Sequence, residues 1–188
     1  MNSEASDRQK SSRGRIYTVV AAGVLVVAAV VIAVMVLVSR GGASELEPGQ
    51  PEEASVQDLR TFAASNDGPV YSAGGLTGRT LELTKTSRNE TFVRYLGGGA
   101  RPGDPRPIFT TIATYPRQRS YQDAARAAKL KGAKSRPSPG GGLAVWRESR
   151  PTSVYLAYPG EEVLVEVFDP SPRRAQELVL SGEVGPVR

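Results

Sequence analysis

The sequence predicts an α+β domain, with an antiparallel sheet of about six strands and two helices on one face, placed after a single transmembrane helix. Three observations lead to this prediction. Residues 16–38 form an apolar run without a charged side chain, short segments rich in Val, Thr, Tyr and Phe recur through residues 67–188, and two segments there place small and apolar residues at helical spacing. In order, these elements suggest two β-β-β-α halves, each with a hairpin, a third strand ending at a proline, and a helix.

The first 15 residues are polar and contain no apolar run, so we expect a disordered arm. Residues 16–38 then supply 23 residues without a charge, where a bilayer needs about 20. A buried strand or core helix is the first alternative, but it would seldom run this long without a polar residue. A cleaved secretory signal is the second, with small residues at Gly41 and Ala43, although that interpretation favours an apolar stretch of about 7–15 residues. A lipoprotein is excluded because the chain has no cysteine to acylate.

The orientation follows from the charges that flank this segment. Four bases precede it within the arm, whereas all the charged residues between Arg40 and Arg60 are acidic. Bases close to a membrane helix favour the cytoplasmic side, which places the N-terminus in the cytoplasm. We therefore expect a single-pass protein of the cell membrane with residues 39–188 outside.

The segment 39–66 is predicted to be a flexible linker. Gly, Pro and Glu dominate it up to Glu53, and it has no hydrophobic periodicity there. A short helix is expected over 56–64, so the domain boundary is open between 54 and 68. The extracytoplasmic α+β domain is assigned to 67–188.

The strands of this domain are predicted from runs of β-branched and aromatic residues bounded by Gly, Pro, Asn and Asp. They cover residues 70–73, 80–87, 91–96, 108–115, 143–147, 154–158 and 163–168. Arg88 and Asn89 lie between two of these runs, which indicates a tight hairpin turn. The stretch 132–142 is rich in Pro and Gly and is predicted to be a loop.

Two helices are expected, each with a serine at its start. Ser120 is predicted to cap the first, with Asp123 adding favourable charge near the positive end of the helix. Ser171 is predicted to cap the second, with Pro172 in its first turn, where the missing amide hydrogen costs nothing. Gly182 is a natural stop for that helix.

The composition excludes several kinds of chemistry. The chain contains neither cysteine nor histidine. Disulfides are therefore excluded, zinc, copper and haem lose their usual ligands, and Ser-His-Asp or Cys-His catalysis is impossible. The adjacent carboxylates of Glu161 and Glu162 are the clearest acid-base candidates, but neighbours on a strand point to opposite faces, so a solvated turn is favoured. We expect no catalytic residue, cofactor or metal ligand among the motifs.

A basic region is the most distinctive feature after residue 40. Between residues 101 and 136 there are nine bases and two acids. This excess suggests a surface for an anionic envelope polymer, a lipid headgroup or an acidic protein, and its topology argues against nucleic acid. The candidate surface consists of Arg117, Arg119, Arg126, Lys129, Lys131, Lys134 and Arg136.

The layout resembles uncharacterised single-pass, envelope-exposed membrane proteins of high-GC Gram-positive bacteria. The resemblance rests on the arginine-rich arm, the Val/Ala-rich apolar segment, the Gly/Pro/Glu linker and phrases such as VRYLGGG, TIATYP and VYLAYPGEEVLVEVFDPSP. It implies a location at the cell envelope and carries over no catalytic or binding residue.

These observations favour a membrane-anchored, extracytoplasmic binding module without catalytic activity, in contact with the bilayer through residues 16–38. Two alternatives stay open. One is an envelope enzyme that uses carboxylate, hydroxyl or lysine chemistry, and the other is an accessory subunit of a membrane signalling complex. The sequence does not identify the ligand.

Overall fold

The computed structural model describes residues 46–188, an α+β arrangement with a large antiparallel sheet and three α-helices. The helices are α1 (Val56–Ser65), α2 (Ser120–Ala127) and α3 (Pro172–Leu180). The strands are β1 (Glu52–Ala54), β2 (Tyr71–Ser72), β3 (Thr80–Lys85), β4 (Thr91–Leu96), β5 (Thr110–Pro116), β6 (Ala133–Ser138), β7 (Gly142–Arg147), β8 (Arg150–Ala157), β9 (Val163–Phe168) and β10 (Gly185–Pro186). A single 3-10 turn, Pro139–Gly141, joins β6 to β7.

Eight strands form the main sheet in the order β1-β3-β4-β5-β9-β8-β7-β6, and β2 pairs with β10 separately. The antiparallel pair β5–β9 lies at the centre and joins two meanders. The predicted order of elements is therefore present, as β3-β4-β5-α2 followed by β7-β8-β9-α3, with β1 and β6 added at the edges. The sheet thus has eight strands rather than about six.

The β3–β4 hairpin turns near the residues that the sequence indicated. The Thr86 amide donates to the Glu90 carbonyl at 2.9 Å, and three residues, 87–89, make the turn. Asn89 has a φ of 59°, the left-handed conformation that a three-residue hairpin loop requires at this position. Asparagine tolerates this conformation better than most residues.

The prediction of a loop over 132–142 is wrong, because β6 occupies residues 133–138 of it. Its composition concealed the strand, since Pro137 and the charged residues Lys134 and Arg136 are atypical of a central strand. They are compatible with β6 because it lies at the edge of the sheet and pairs only with β7, where proline and charged side chains discourage further strand pairing.

The expectation that both helices lie on one face is also wrong. The buried residues of α3, Ala175, Leu178 and Val179, join the main core with Ala144 and Trp146 of β7. On α2, Ala124 packs instead with Val145, the intervening residue of β7, together with Ala157. Successive side chains of a strand point to opposite faces, so α2 and α3 cover opposite faces of the sheet.

The core face is the face covered by α3. It carries the large buried side chains of the central strands, among them Leu83, Val93, Ile112, Val165 and Leu156. Residues of α1 and of the segments beside it, including Leu46 and Leu59, cover the rest of this face. The opposite face, called the second face here, is covered by α2 over β7, β8 and β9.

The two predicted serine caps have different outcomes. Ser171 is the N-cap of α3, its hydroxyl accepts a hydrogen bond from the Arg174 amide, and Pro172 follows as predicted. Ser120 does not cap α2. It is the first residue of that helix, fully buried, and its hydroxyl donates to the Glu161 carbonyl at 2.9 Å, while Arg119 occupies the N-cap position.

The second part of the predicted linker 39–66 is folded. Residues 52–54 form β1 on the edge of the sheet, and α1 follows, as expected for 56–64. Ser55 and Asp58 form a capping box at its start, in which the Ser55 amide donates to the Asp58 carboxylate at 2.8 Å. The pair satisfies two backbone amides at the start of the helix, those of Ser55 and Asp58.

The predicted arm at 1–15 and the predicted transmembrane helix at 16–38 lie outside the described residues, as does the start of the predicted linker. Within residues 46–188, no helix has both the length and the apolar character needed to cross a bilayer.

Candidate binding surfaces at the two ends of the sheet

The strand register defines two ends of the sheet, and loops from distant parts of the sequence meet at each. β5 begins at Thr110 beside the end of β9 at Phe168, and β8 begins at the same end because Ser153 also pairs with Phe168. The start of β6 lies there too, since Ala133 pairs with Arg147. The segments before β3 and β6 and the β4–β5 and β7–β8 connections therefore share one end.

Six exposed bases come from these segments, and none of them forms an ion pair with a residue in the described range 46–188. We call them the basic end. They are Arg79, Arg101, Lys129, Lys131, Arg147 and Arg150.

Contacts between the segments hold parts of this end together. The Arg147 guanidinium donates to the Lys131 carbonyl at 3.4 Å, and the neighbouring Glu148 amide donates to Gly132 at 2.9 Å. Towards the opposite edge of the sheet, beside β3 and β4, the Arg79 side chain lies directly against Gly97. Any Cβ at position 97 would collide with the Arg79 guanidinium. A larger residue at 97 would therefore displace the Arg79 guanidinium from this position.

Four carboxylates that lie near the basic end already have partners. Asp58 belongs to the capping box, Asp104 pairs with Arg106 at 2.6 Å, and Glu148 pairs with Lys134 at 3.1 Å. Asp169 is buried and accepts from the Thr110 hydroxyl at 2.6 Å. Asp104 and Glu148 are therefore compensated by bases outside the basic end, whereas Asp58 and Asp169 are held by neutral donors and keep their charge.

A buried ion pair positions the loop that carries Arg101. Glu82 accepts from the Arg94 guanidinium at 2.8 Å and from the Gly103 amide at 2.7 Å, and Arg94 also donates to the Asp104 carbonyl at 2.7 Å. Because both side chains stand on paired strands of the second face, they fasten the β4–β5 loop to the sheet.

The seven residues of the predicted basic surface do not lie together in the structure. Lys129 and Lys131 belong to the basic end. Arg117 and Arg126 both pair with Asp123, at 2.8 and 3.3 Å, and Lys134 pairs with Glu148. The remaining two are apart from the basic end, with Arg119 at the start of α2 and Arg136 within β6.

Four bases of the basic end were absent from the predicted surface: Arg79, Arg101, Arg147 and Arg150. Arg101 belonged to the basic region 101–136 but not to the candidate surface, and the other three lie outside that region. The available signal was their position at or beside the ends of predicted strands. Using it required the order of the strands, which the sequence does not show.

Two large apolar side chains are exposed near the basic end. Leu130 lies between Lys129 and Lys131, and Ile108 lies in the β4–β5 loop, each 51% exposed. Single exposed aliphatic residues are common on soluble domains. Their position among bases matters for the choice between an anionic polymer and a lipid surface.

The opposite end of the sheet contains a cavity of about 190 Å³. We call this the cavity end. Its lining includes no lysine or arginine, and its remaining residues are glycine, proline and valine. The polar lining residues are Asn66, Asp67, Asn89, Thr114, Glu161 and Glu162.

The two asparagines of the cavity hold its wall through their amide nitrogens. Asn66 donates to the Gly68 carbonyl at 3.0 Å, and Asn89 donates to the Asp67 carbonyl. Both side-chain oxygens are buried and have no donor among the described residues. Buried polar atoms are usually paired with protein or water, so these oxygens mark the polar wall of the cavity.

Glu161 and Glu162 were predicted to lie in a solvated turn, and they are exposed residues between β8 and β9. Both nevertheless line the cavity. The argument that neighbours point to opposite faces does not apply, because neither residue belongs to a strand. Their backbone carbonyls accept from Ser120 and Arg117, which fixes the turn against the start of α2.

Glu161 also affects a buried tyrosine. Burial, the negative charge of Glu161 and the neighbouring Tyr158 together raise the pKa of Tyr71 to about 12. The Tyr71 and Tyr158 rings are stacked with their centroids 6.3 Å apart. The cavity end therefore includes a protonated tyrosine at neutral pH as well as carboxylates.

A further polar cluster lies on the second face. The buried carboxylate of Glu166 accepts from the Tyr115 and Tyr155 hydroxyls at 3.1 and 3.3 Å. Burial first, and then the charge of Glu166, raise the pKa of both tyrosines, which keeps them protonated as donors. Tyr155 thus has a structural partner, and Trp146 belongs to the main core.

Among residues 46–188, no three acidic side chains are grouped closely enough to hold a metal ion. No family model, curated protein or solved structure matches this chain.

Proposed function

We propose that this chain is a single-pass, membrane-anchored, extracytoplasmic binding module, associated with the cell envelope and without catalytic activity, and that its basic end is the binding surface. The apolar run at 16–38 and the bases that precede it support the anchor and its orientation. The α+β domain of residues 46–188 supplies the binding surface.

The basic end is the observation that carries the binding role. Bases on most protein surfaces are interspersed with acids. An exposed ion pair between two such charges contributes little to stability. Here six exposed bases without an ion pair in the described range meet at one end, and two of the four neighbouring carboxylates, Asp104 and Glu148, are paired with other bases. The positive electrostatic potential of these bases attracts an anionic partner and accelerates its association.

Location and binding are tested in the same cells. Protease added to intact, wall-stripped cells is expected to digest the C-terminal domain, and a soluble chain or a protected domain would contradict the proposed location. For binding, a photo-crosslinking amino acid replaces Lys131 at the basic end or, as the control, Asp67 at the cavity end. We expect a specific crosslinked species from position 131 and none from position 67, and the reverse pattern would reject the basic end.

The cavity supports a second candidate, an envelope enzyme. Glu161 and Glu162 line the same cavity as Asp67, and a pair of carboxylates is the minimum for acid-base hydrolysis. This function predicts turnover of an isolated wall or lipid substrate by the purified chain. Isosteric Glu161→Gln and Glu162→Gln variants would each lose at least tenfold in rate, whereas a Glu52→Gln variant on β1 would keep it.

A further inference from the structure

We propose that the basic end binds a linear polyanion that lies across the ends of the strands. This inference rests on the proposed function, and it adds the class and shape of the partner. The relevant partner is an extended chain with anionic groups at regular intervals, either phosphodiester or carboxylate.

The length of the row excludes a small anion as the matching partner. Arg79 precedes β3 and Lys131 precedes β6, and these strands are six steps apart in the sheet. At about 4.8 Å a step, the row is about 29 Å long. Charges at physiological salt act over about 8 Å, so a single phosphate feels only one or two of the bases. A partner that engages all six must be extended and multivalent.

The shape of the row favours a chain over a plane. The bases follow the end of one sheet, in the order Arg79, Arg101, Arg150, Arg147 and then the two lysines before β6. The order of the strands extends these bases in one direction, as the charges of a linear polymer are extended. A bilayer would instead need bases spread over two dimensions, and it would gain from the exposed Ile108 and Leu130. A polymer gains nothing from these two residues, which makes them the basis of a test.

The first described residues contact the sheet at its cavity end. The described residues begin at Leu46, and the nearby Gly49 amide donates to the Lys85 carbonyl at 2.7 Å, at the cavity end of β3. The first described residues therefore lie at the end of the sheet remote from the six bases.

The test measures binding of the purified full-length chain, in uncharged detergent micelles, to linear polyphosphates of graded length. Polyglutamate, orthophosphate and vesicles containing phosphatidylglycerol are the comparison probes. We expect affinity to rise at least tenfold from orthophosphate to polyphosphate chains that span the row. Affinity should also fall steeply with salt, since each engaged base releases counterions from the polymer. If polyglutamate binds as strongly as polyphosphate, the basic end accepts carboxylate and phosphate polymers alike. If polyglutamate binds much more weakly, the partner is a phosphate polymer.

Two matched variants locate the site. Arg147→Gln with Arg150→Gln removes two bases of the row, and Arg119→Gln with Arg136→Gln removes two exposed arginines elsewhere. We expect the first pair to weaken polyphosphate binding about tenfold and to reduce the salt slope by about 1.5, and the second pair to change either by less than twofold. Equal losses in both pairs would show a diffuse charge effect and would overturn the proposal.

Two further outcomes would also overturn it. One is orthophosphate binding as tightly as the polymer. The other is strong vesicle binding, without polymer binding, that is lost when Ile108 and Leu130 are replaced by serine, which would identify a lipid surface. These results are independent of the protease test of location, so failure of the polymer proposal leaves the proposed location to be judged separately.

Discussion

The Arg94 guanidinium lies 2.8 Å from the carboxylate of Glu82, and the Glu82 side chain is only 2% exposed. This ion pair links two strands and, through Gly103 and Asp104, the loop that carries Arg101. Its energetic importance depends on burial, because removing one partner leaves a charge without compensation in a dry environment.

We therefore expect Arg94→Ala to lower the free energy of unfolding by about 3 kcal/mol. Urea denaturation of the purified chain measures this change. Arg88→Ala is the control, since Arg88 pairs with Glu90 on the same hairpin but is 64% exposed, and its loss should cost less than about 1 kcal/mol. Equal effects of the two substitutions would show that the Glu82–Arg94 pair does not stabilise the fold through burial.

The lowered pKa of Asp104 predicts that the domain loses stability in acid. Hydrogen bonds from the side chain and the backbone amide of Arg106 lower the pKa of Asp104 to about 2. A carboxylate whose folded pKa lies below its unfolded pKa contributes stability above about pH 4, and this contribution disappears as the pH falls towards 2. Carboxyl NMR titration of the folded chain should give the low pKa directly. Arg106→Gln removes the main cause, so an unchanged pKa of Asp104 in that variant would contradict the assignment.

The pKa of Tyr71 is sensitive to the charge of the Glu161 carboxylate. Burial is the largest cause of its raised pKa, and the charge of Glu161 is the second. Glu161→Gln should therefore lower the pKa of Tyr71 from about 12 while leaving it above the ordinary value of about 10. Glu162→Gln is the matched control and should shift the Tyr71 pKa less. Tyrosine-selective NMR titration distinguishes Tyr71 from Tyr95, whose pKa is also raised to about 12 by burial.

Gly142 tests the packing at the start of β7. A Cβ at this position would lie 2.7 Å from a ring carbon of Tyr158 and 3.0 Å from a methyl carbon of Leu156. We expect Gly142→Ala to destabilise the fold by about 1–3 kcal/mol, because the buried Leu156 and the partly buried Tyr158 must move. Gly185→Ala is the control, since no atom lies within 4 Å of its added Cβ, and it should change stability by less than about 0.5 kcal/mol. A similar loss in both variants would point to a backbone effect instead of crowding.

The local elements were largely predictable because their signals are local. The hairpin turn near Asn89, the capped start of α3 at Ser171 and the central strands β4 and β9 all lie where residue type and spacing placed them. β6 was missed because a strand at the edge of a sheet tolerates Pro137 and charged side chains, which elsewhere indicate a loop. Ser120 was misassigned because a distant carbonyl, that of Glu161, takes the hydroxyl that would otherwise be available for capping.

The candidate site depended more on distant contacts. Its two lysines, Lys129 and Lys131, were part of the predicted basic surface, whereas the arginines around them come from other loops. Arg147 approaches Lys131 only because β6 pairs with β7, and Glu161 meets Asn89 at the cavity only because β5 pairs with β9. Neither pairing leaves a signal in the residues themselves.

The α+β class, the antiparallel strands and the absence of thiol and imidazole chemistry follow from composition and short-range periodicity, which can be read along the chain. The placement of α2 and α3 on opposite faces, the central pairing of β5 with β9 and the meeting of six bases at one end of the sheet became apparent only in the folded domain. Strand order and helix placement minimise exposed apolar area over the whole domain, so they depend on contacts between residues that are far apart in the chain.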